Sequence, residues 1–176
     1  MEISKLAFLE TYTLENNEGI MGAILVTDAD TKPLEFRVTA PIRPTNFQKT
    51  LYGNVLMEHI LVELVSMPLL NAINEQIDLI LVRDPLFLGV NDKQGVRVIK
   101  VFDENDKGLN GKTNGAVKIG SDGNSTIFVD TSKKFSDELP DIKDKLKNLA
   151  DSRNLIEPFD RLKIACEQVH LQKTGE

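Results

Sequence analysis

The chain has 176 residues, of which 41% are hydrophobic and 27% are charged, and its formal net charge is −6. These values are typical of a folded globular domain, and no apolar run reaches the roughly 18 residues of a membrane span. One cysteine and two histidines exclude an internal disulfide and a Cys/His metal cluster. We therefore expect a soluble cytoplasmic protein, and its acidic balance disfavours nonspecific binding to nucleic acid.

The N-terminal part of the sequence predicts a three-stranded antiparallel meander. A turn-rich cluster at 15–19 joins two strands, 3–14 and 20–27. A third strand follows at 34–39, where apolar and polar residues alternate with the period of a half-buried strand. Pro41 ends this strand, because proline lacks a backbone donor and restricts the residue before it.

A long helix is predicted over 45–67. Thr45 and Gln48 have the spacing of a capping box, and apolar residues then recur at three- and four-residue steps. Pro68 is expected to stop or kink this helix. Residues 77–82 form a short apolar run rich in branched side chains, which fits a buried strand.

The second half of the sequence is less regular. A strand is expected near 96–101, and residues 103–125 contain five glycines, which predicts a long loop or excursion. Within this excursion, residues 115–120 have the composition to pair with the short strand 126–130 as a hairpin.

Two helices, at 136–151 and 157–172, end the chain. The predicted fold class is therefore α+β: the meander, a long helix on one face of a mixed sheet, further strands and two C-terminal helices. We expect a single domain. Residues 1–90 would form its meander-helix-strand core, and residues 91–176 would add the glycine-rich excursion and the terminal helices.

A family resemblance rests on four pieces of sequence in this order: GAILVTD at 22–28, PLEFRVTAPIRPT at 33–45, Gln48, and LYG at 51–53. This pattern resembles the signature of a widespread group of uncharacterised bacterial proteins. The resemblance covers about residues 20–85. It implies a shared architecture for this part of the chain and brings no activity with it.

The same segment is locally basic, since residues 32–50 carry four basic side chains and one acid. Arg37, Arg43 and Lys49, together with the free amides at the helix start, would form a site for an anion such as a phosphate, a nucleic-acid backbone or an acidic partner. Alternatively, the arginines meet carboxylates of this protein and the segment is only structural.

The strand order raises the hypothesis of a nuclease. Three antiparallel strands, a helix and a further strand are how ribonuclease H-like nucleases begin, and those enzymes hold two Mg²⁺ ions with acidic side chains. The candidates are Glu10 on the first strand, Glu58 or Glu63 on the long helix, and Asp84 after the fourth strand. Glu10 is equally compatible with a charge that faces solvent.

The residues around the proline break support a third hypothesis. Met67, Leu69 and Leu70 would form a protein–protein contact if they are exposed, or belong to the core if they are not. No nucleophile pairs visibly with His59, and we find no cofactor motif. The sequence alone thus favours a non-catalytic binding or assembly module, which self-associates or joins a larger complex. The metal-dependent nuclease and the anion-binding protein are its alternatives.

Overall fold

The computed structural model describes residues 2–15, 19–103, 117–122 and 125–174. Within these ranges the strands are β1 (Lys5–Thr13), β2 (Ile20–Asp28), β3 (Pro33–Val38), β4 (Leu79–Val82), β5 (Val98–Asp103), β6 (Val117–Asp122) and β7 (Ser125–Asp130). The α-helices are α1 (Asn46–Tyr52), α2 (Leu56–His59), α3 (Met67–Ala72), α4 (Leu139–Ser152) and α5 (Glu157–Thr174). A π-helix spans Ile60–Ser66, and 3₁₀-helices span Gly53–Val55, Pro85–Asp92 and Lys133–Glu138.

The described strands form one sheet in the order β3-β2-β1-β4-β5-β7-β6. β1, β2 and β3 pair antiparallel as a meander, whereas β1, β4 and β5 run parallel to one another. β7 pairs antiparallel with β5, and β6 with β7. The predicted α+β fold, with its meander, mixed sheet, long helix and two C-terminal helices, is confirmed. Pairing of β4 with β5 joins strands from both halves of the chain.

Strand alternation divides the core between the two faces of the sheet. Leu6 and Phe8 point to the face that α4 and α5 cover, which we call the α5 face. Ala7 and Leu9 point to the opposite face, which the helices between 46 and 72 cover and which we call the long-helix face. Because side chains alternate along a strand, every residue of β1 can be assigned to one of these faces.

Residues 46–72 form one helical segment of 27 residues. The predicted capping box is present: Gln48 N–H donates to Thr45 Oγ1 (3.1 Å), and Thr45 N–H donates to Gln48 Oε1 (2.8 Å). By length and composition the segment could cross a membrane, because an 18-residue window within it has a mean hydropathy of 1.4. It lies on the sheet, however, where Leu61 and Val65 are fully buried in the core of the long-helix face.

The helix passes through Pro68, where the sequence predicted a stop or a kink, and continues to Ala72. In an α-helix, the proline ring would crowd the carbonyl of the residue four positions earlier. Here the preceding turn is a π-helix, in which Met67 N–H donates to the Val62 carbonyl and Ser66 Oγ donates to the Leu61 carbonyl at 2.6 Å. We attribute the continuation to this wider turn, which accommodates the proline.

The π-helix packs unusually close to β2 at Gly22. A Cβ atom on Gly22 would lie 2.2 Å from Val65 Cγ1 and 2.9 Å from Val65 Cβ. Only a glycine leaves room for the valine at this position, so the missing side chain sets the distance between helix and sheet.

The second half of the chain departs from prediction mainly at element boundaries. The strand expected from residue 96 begins at Val98, and α4 begins at Leu139, after a 3₁₀-helix and next to Pro140, which suits the first turn of a helix. The hairpin of β6 and β7 is present as predicted. Residues 104–116 and 123–124 of the predicted loop lie outside the described residues.

Candidate active site

The carboxyl ends of three parallel strands meet at one edge of the sheet, which we call the carboxyl edge. Leu9 of β1 is in register with Val82 of β4, and Val82 is in register with Lys100 of β5. Acidic residues lie near these ends: Glu10 is one residue beyond the part of β1 that pairs with β4, Asp84 follows β4, and Asp103 is the last residue of β5. In open sheets with parallel strands, ligands bind at this edge.

Glu10 is the buried acid of this edge. Leu6, Phe8 and Glu10 are two positions apart along β1, so Glu10 points to the same α5 face as the other two. Glu10 is only 7% exposed. One of its oxygens, Oε1, accepts a hydrogen bond from the Thr11 N–H at 3.0 Å. The sequence left open whether this residue faces solvent, and the structure places it inside the protein.

The surroundings of Glu10 raise its pKa above the usual range of a glutamate. Burial is the largest cause, since it disfavours the charged form, and the negative charge of Asp84 raises the pKa further. The hydrogen bond from Thr11 and the positive charges of Lys163 and Arg83 act in the opposite direction but only partly offset burial. Glu10 and Asp84 are therefore close enough to repel each other electrostatically.

Asp84 is held in place by the 3₁₀-helix that follows β4. Its Oδ1 accepts a hydrogen bond from the Leu86 N–H at 2.9 Å, so the carboxylate caps the start of that helix. The capping bond uses one carboxylate oxygen, just as the Thr11 bond uses one oxygen of Glu10. Among the described residues, each carboxylate thus keeps an oxygen with which to bind a further ligand.

Helix α5 runs along β1 and brings a basic side chain to this edge. Phe159 packs edge-on against Phe8, with ring centroids 5.3 Å apart, and Cys166, almost two turns later, is buried close to Glu10. Lys163 lies between them on the helix and is exposed. Sequence reasoning missed Lys163, because the apolar spacing of α5 reveals a buried face but not the strand on which that face packs.

Glu58, the third carboxylate of the predicted nuclease site, lies elsewhere. It belongs to α2 on the long-helix face, where it lines a cleft of about 390 Å³ with His59 and Asp92. Its neighbour on the same helical segment, Glu63, is paired with Lys93 at 3.1 Å. The described residues include no group of three or more His, Cys, Asp or Glu side chains within reach of one metal ion. The structure thus places Glu10 and Asp84 on neighbouring strands near one end of the sheet, and Glu58 on the long-helix face.

The three residues of the predicted anion site lie in different surroundings. Arg37 Nε donates to Glu35 Oε2 at 2.8 Å, and Glu35 also accepts a hydrogen bond from the Asn74 N–H at 2.9 Å. Arg37 is therefore engaged within the protein, as the structural alternative proposed. Arg43 lines a cavity of about 180 Å³ beside α1, and Lys49 lies in the last turn of α1.

The predicted protein contact at the proline break is part of the core. Leu69 is 4% exposed, and Met67 and Leu70 pack against the buried residues of the long-helix face. These side chains therefore form no exposed apolar patch. Large exposed apolar residues lie instead nearer the start of the helical segment, above all Phe47 and Leu51.

No protein-family model matches the chain, and no curated protein matches it. Among solved structures, the chain is similar to Endonuclease V from Bacillus subtilis, with 15% identity and a TM-score of 0.44, over 76% of this chain and 69% of that one. It is also similar to Endonuclease V from Ciona intestinalis in complex with a 24-mer DNA that contains an inosine followed by a ribo-adenosine. That likeness has 12% identity and a TM-score of 0.40, over 78% of this chain and 76% of that one. For a variant of the Ciona protein with a 23-mer DNA, the identity is 10% and the TM-score 0.41, over the same shares of the two chains.

These comparisons correct the predicted function. The expectation of a non-catalytic binding or assembly module with a protein partner is wrong, because the similar solved structures are endonucleases and two of them hold DNA. Identities of 10–15% transfer no residue's role to this chain. Roles are therefore assigned from the chain's own side chains. The resemblance to a group of bacterial proteins stays a prediction.

Proposed function

We propose that this protein is a cytoplasmic, metal-dependent nuclease, in which Glu10 and Asp84 hold a divalent cation that assists hydrolysis of a phosphodiester bond. The observation that supports this proposal is the position of Glu10. It is a buried carboxylate with a raised pKa, at the carboxyl edge of a ribonuclease H-like strand order, beside a second carboxylate. Ionisable groups whose pKa is shifted by burial and by a neighbouring charge are concentrated at functional sites.

The two carboxylates suit a magnesium ion. Mg²⁺ is commonly held by one or two protein carboxylates, with water and substrate phosphates as its other ligands. A bound cation would offset both costs found at this site, the burial of the Glu10 charge and its repulsion by Asp84. When bound, such an ion would stabilise charge on the phosphate and lower the pKa of a water molecule.

The basic side chains near Glu10 fit an anionic substrate. Lys163 is exposed on α5, and its charge is felt at Glu10 together with that of Arg83. In the proposed complex, Lys163 binds a phosphate next to the bond that is cleaved, which orients the strand over the two carboxylates. An ammonium group is suited to this role, since phosphates are bound largely through charge.

The proposal is tested with the purified full chain and end-labelled single-stranded and duplex DNA and RNA, with Mg²⁺ or Mn²⁺ and with EDTA. We expect cleavage only with metal. Glu10→Gln and Asp84→Asn keep the shape of each side chain, and an asparagine at position 84 can still cap the 3₁₀-helix, so both variants should fold. Each should lose about 100-fold or more in rate, because a bound metal supplies several kcal/mol of transition-state stabilisation.

Glu58→Gln is the matched control, because it changes the same functional group on the opposite face of the sheet. We expect its cleavage rate to stay within about 3-fold of wild type. Metal binding has a readout without substrate: Mn²⁺ should raise the Tm of wild type and of Glu58→Gln but not that of Glu10→Gln. Cleavage that persists in EDTA, or that Glu58→Gln abolishes and Glu10→Gln spares, would refute the assignment.

A further inference from the structure

Helix α5 follows β1 beyond Glu10. Phe159 packs against Phe8, and farther along both elements the charge of Glu167 acts on Tyr12. From residue 159 to residue 167 an α-helix rises about 12 Å. From residue 8 to residue 12 a strand rises about 13 Å. The helix and the strand therefore run side by side in the same direction, as far as Tyr12.

Tyr12 lies beside Glu10 at the carboxyl edge. It is two positions farther along β1, so it points to the same α5 face at a distance of about 7 Å, and its ring packs against the core of that face. Pairing of β1 with β4 ends where Leu9 meets Val82, whereas pairing of β1 with β2 continues to Thr13. Within the described part of the chain, no strand borders β1 at Tyr12 on the side of β4.

The hydroxyl group of Tyr12 is available to a ligand. The residue is half-buried, and the hydroxyl makes no hydrogen bond to any described residue. Each buried polar side-chain atom of the described residues has a partner, so the hydroxyl reaches the surface. Burial, and then the charges of Glu167 and Glu15, raise the pKa of Tyr12. The hydroxyl therefore stays protonated at neutral pH and can donate a hydrogen bond.

The charges around Tyr12 and Glu10 differ in sign. Two basic side chains act on Glu10, and the proposed cation would add positive charge there. The carboxylates of Glu15 and Glu167 act on Tyr12 instead. A phosphate is therefore attracted towards Glu10 and repelled from Tyr12. A neutral polar group is not repelled, and in a nucleotide the groups of this kind are the sugar and the base.

We propose that Tyr12 binds the nucleoside next to the phosphate that is cleaved. Its hydroxyl donates a hydrogen bond to an acceptor on the sugar or the base, while Lys163 holds the phosphate. The opposite charges at the two ends of this contact orient the nucleotide over Glu10 and Asp84. This inference rests on the proposed nuclease function, and it adds which part of the substrate lies on which side of the carboxylates.

The first test observes Tyr12 directly, because the chain has two tyrosines and no tryptophan. In Tyr52→Phe, Tyr12 is the sole tyrosine, and stopped-flow mixing with a short single strand and Mg²⁺ should lower its emission before cleavage. Inorganic phosphate should leave the emission unchanged. Tyr12→Phe is the matched control: it keeps Tyr52, which stacks on His59 on the long-helix face, and its emission should not respond to the strand.

The second test separates a contact with substrate from a structural role. Tyr12→Phe keeps the ring in the core and removes only the hydroxyl. Its kcat/KM on the single strand should fall about 3- to 10-fold, the effect of losing one neutral hydrogen bond. Hydrolysis of bis(4-nitrophenyl) phosphate, a phosphodiester without a nucleoside, should stay within about 2-fold of wild type. A structural role would lower both rates equally and would overturn the inference.

A strand with an abasic nucleotide next to the cleaved bond distinguishes the two acceptors. If the effect of Tyr12→Phe disappears on this strand, the acceptor is on the base, and if the effect remains, it is on the sugar.

The outcomes also distinguish this inference from the nuclease proposal. Cleavage by wild type, with no emission change in Tyr52→Phe and no effect of Tyr12→Phe, would reject the role of Tyr12 and retain the nuclease. An emission change without cleavage of either substrate would retain the contact at Tyr12 and reject the nuclease.

Discussion

Replacement of Gly22 by alanine tests the close packing of the long helical segment on β2. The added Cβ would lie 2.2 Å from Val65 Cγ1 and 2.7 Å from Val65 Cγ2, where ordinary contacts begin near 3.4 Å. Rotation of the valine does not relieve the contact, because Val65 Cβ itself lies 2.9 Å away. Val65 is fully buried, so the helix has to move away from the sheet by about 1 Å.

The magnitude follows from two opposing effects. Overpacking of a dense core costs about 1–3 kcal/mol, and three short contacts with one buried side chain place Gly22→Ala at the upper end. The alanine loses less chain entropy on folding than glycine, which returns about 0.5–1 kcal/mol. We therefore expect a loss of about 2 kcal/mol in the free energy of unfolding, or about 4–8 °C in Tm.

Urea denaturation followed by circular dichroism measures this loss. Gly95→Ala is the control, because no atom lies within 4 Å of its added Cβ, and it should change stability by less than about 0.5 kcal/mol. In a Val65→Ala background the two short Cγ contacts are gone, so Gly22→Ala should cost at least about 1 kcal/mol less there. Strict additivity of Gly22→Ala and Val65→Ala would refute the packing argument.

Three further predictions concern ionisable groups. Burial opposes ionisation of Asp78, but hydrogen bonds from Ser4 and from the Lys5 N–H outweigh burial and lower the pKa of Asp78. The ionised Asp78 should therefore stabilise the fold above its unfolded pKa, and this stabilisation should be lost as the pH falls through its folded pKa. Asp78→Asn should therefore lose about 1–2 kcal/mol at pH 7 and less at pH 3, in urea titrations at both pH values. The pKa of Glu10 is raised, so ionised Glu10 lowers the stability of the fold at a pH above its unfolded pKa. Glu10→Gln should therefore stabilise the metal-free protein at pH 7 by about 1–2 kcal/mol, and an unchanged Tm would contradict the burial of a charged Glu10. Burial is the larger cause, and the charge of Glu10 the smaller, that raises the pKa of the Cys166 thiol to about 11. A thiol reagent at pH 8 should therefore label Cys166 only as fast as the protein unfolds, and fast labelling of the folded protein would contradict this prediction.

Local signals in the sequence were sufficient for much of the fold. The capping box at Thr45 and the alternation in β3 depend on neighbours in the chain, and both are present. The continuation of the helix through Pro68 was missed, because it depends on a π-turn whose hydrogen bonds skip one more residue than the α-helical pattern. The sequence pattern alone does not distinguish that turn from a break.

The site was only partly predictable for a different reason. Glu10 and Asp84 were candidates because the predicted strand order is that of ribonuclease H-like nucleases, which need acidic residues on these strands. The structure adds that β1 and β4 are neighbours in the sheet. Glu58 was added from its position on the helix, but helix rotation and the face of the sheet are set by packing, which puts it on the opposite side from Glu10. Lys163 lies 153 residues after Glu10 in the sequence. Only the contact of Phe159 with Phe8 reveals that the helix of Lys163 follows β1.

The central claim is that Glu10 and Asp84 form a metal-dependent nuclease site. The most direct measurement is the single-turnover cleavage rate of a labelled single strand as Mg²⁺ is titrated, for wild type, Glu10→Gln and Glu58→Gln. We predict saturable, Mg²⁺-dependent cleavage by wild type and Glu58→Gln, and a rate at least about 100-fold lower for Glu10→Gln at every Mg²⁺ concentration. Absence of cleavage by wild type under all these conditions, or an equal rate in Glu10→Gln, would contradict the claim.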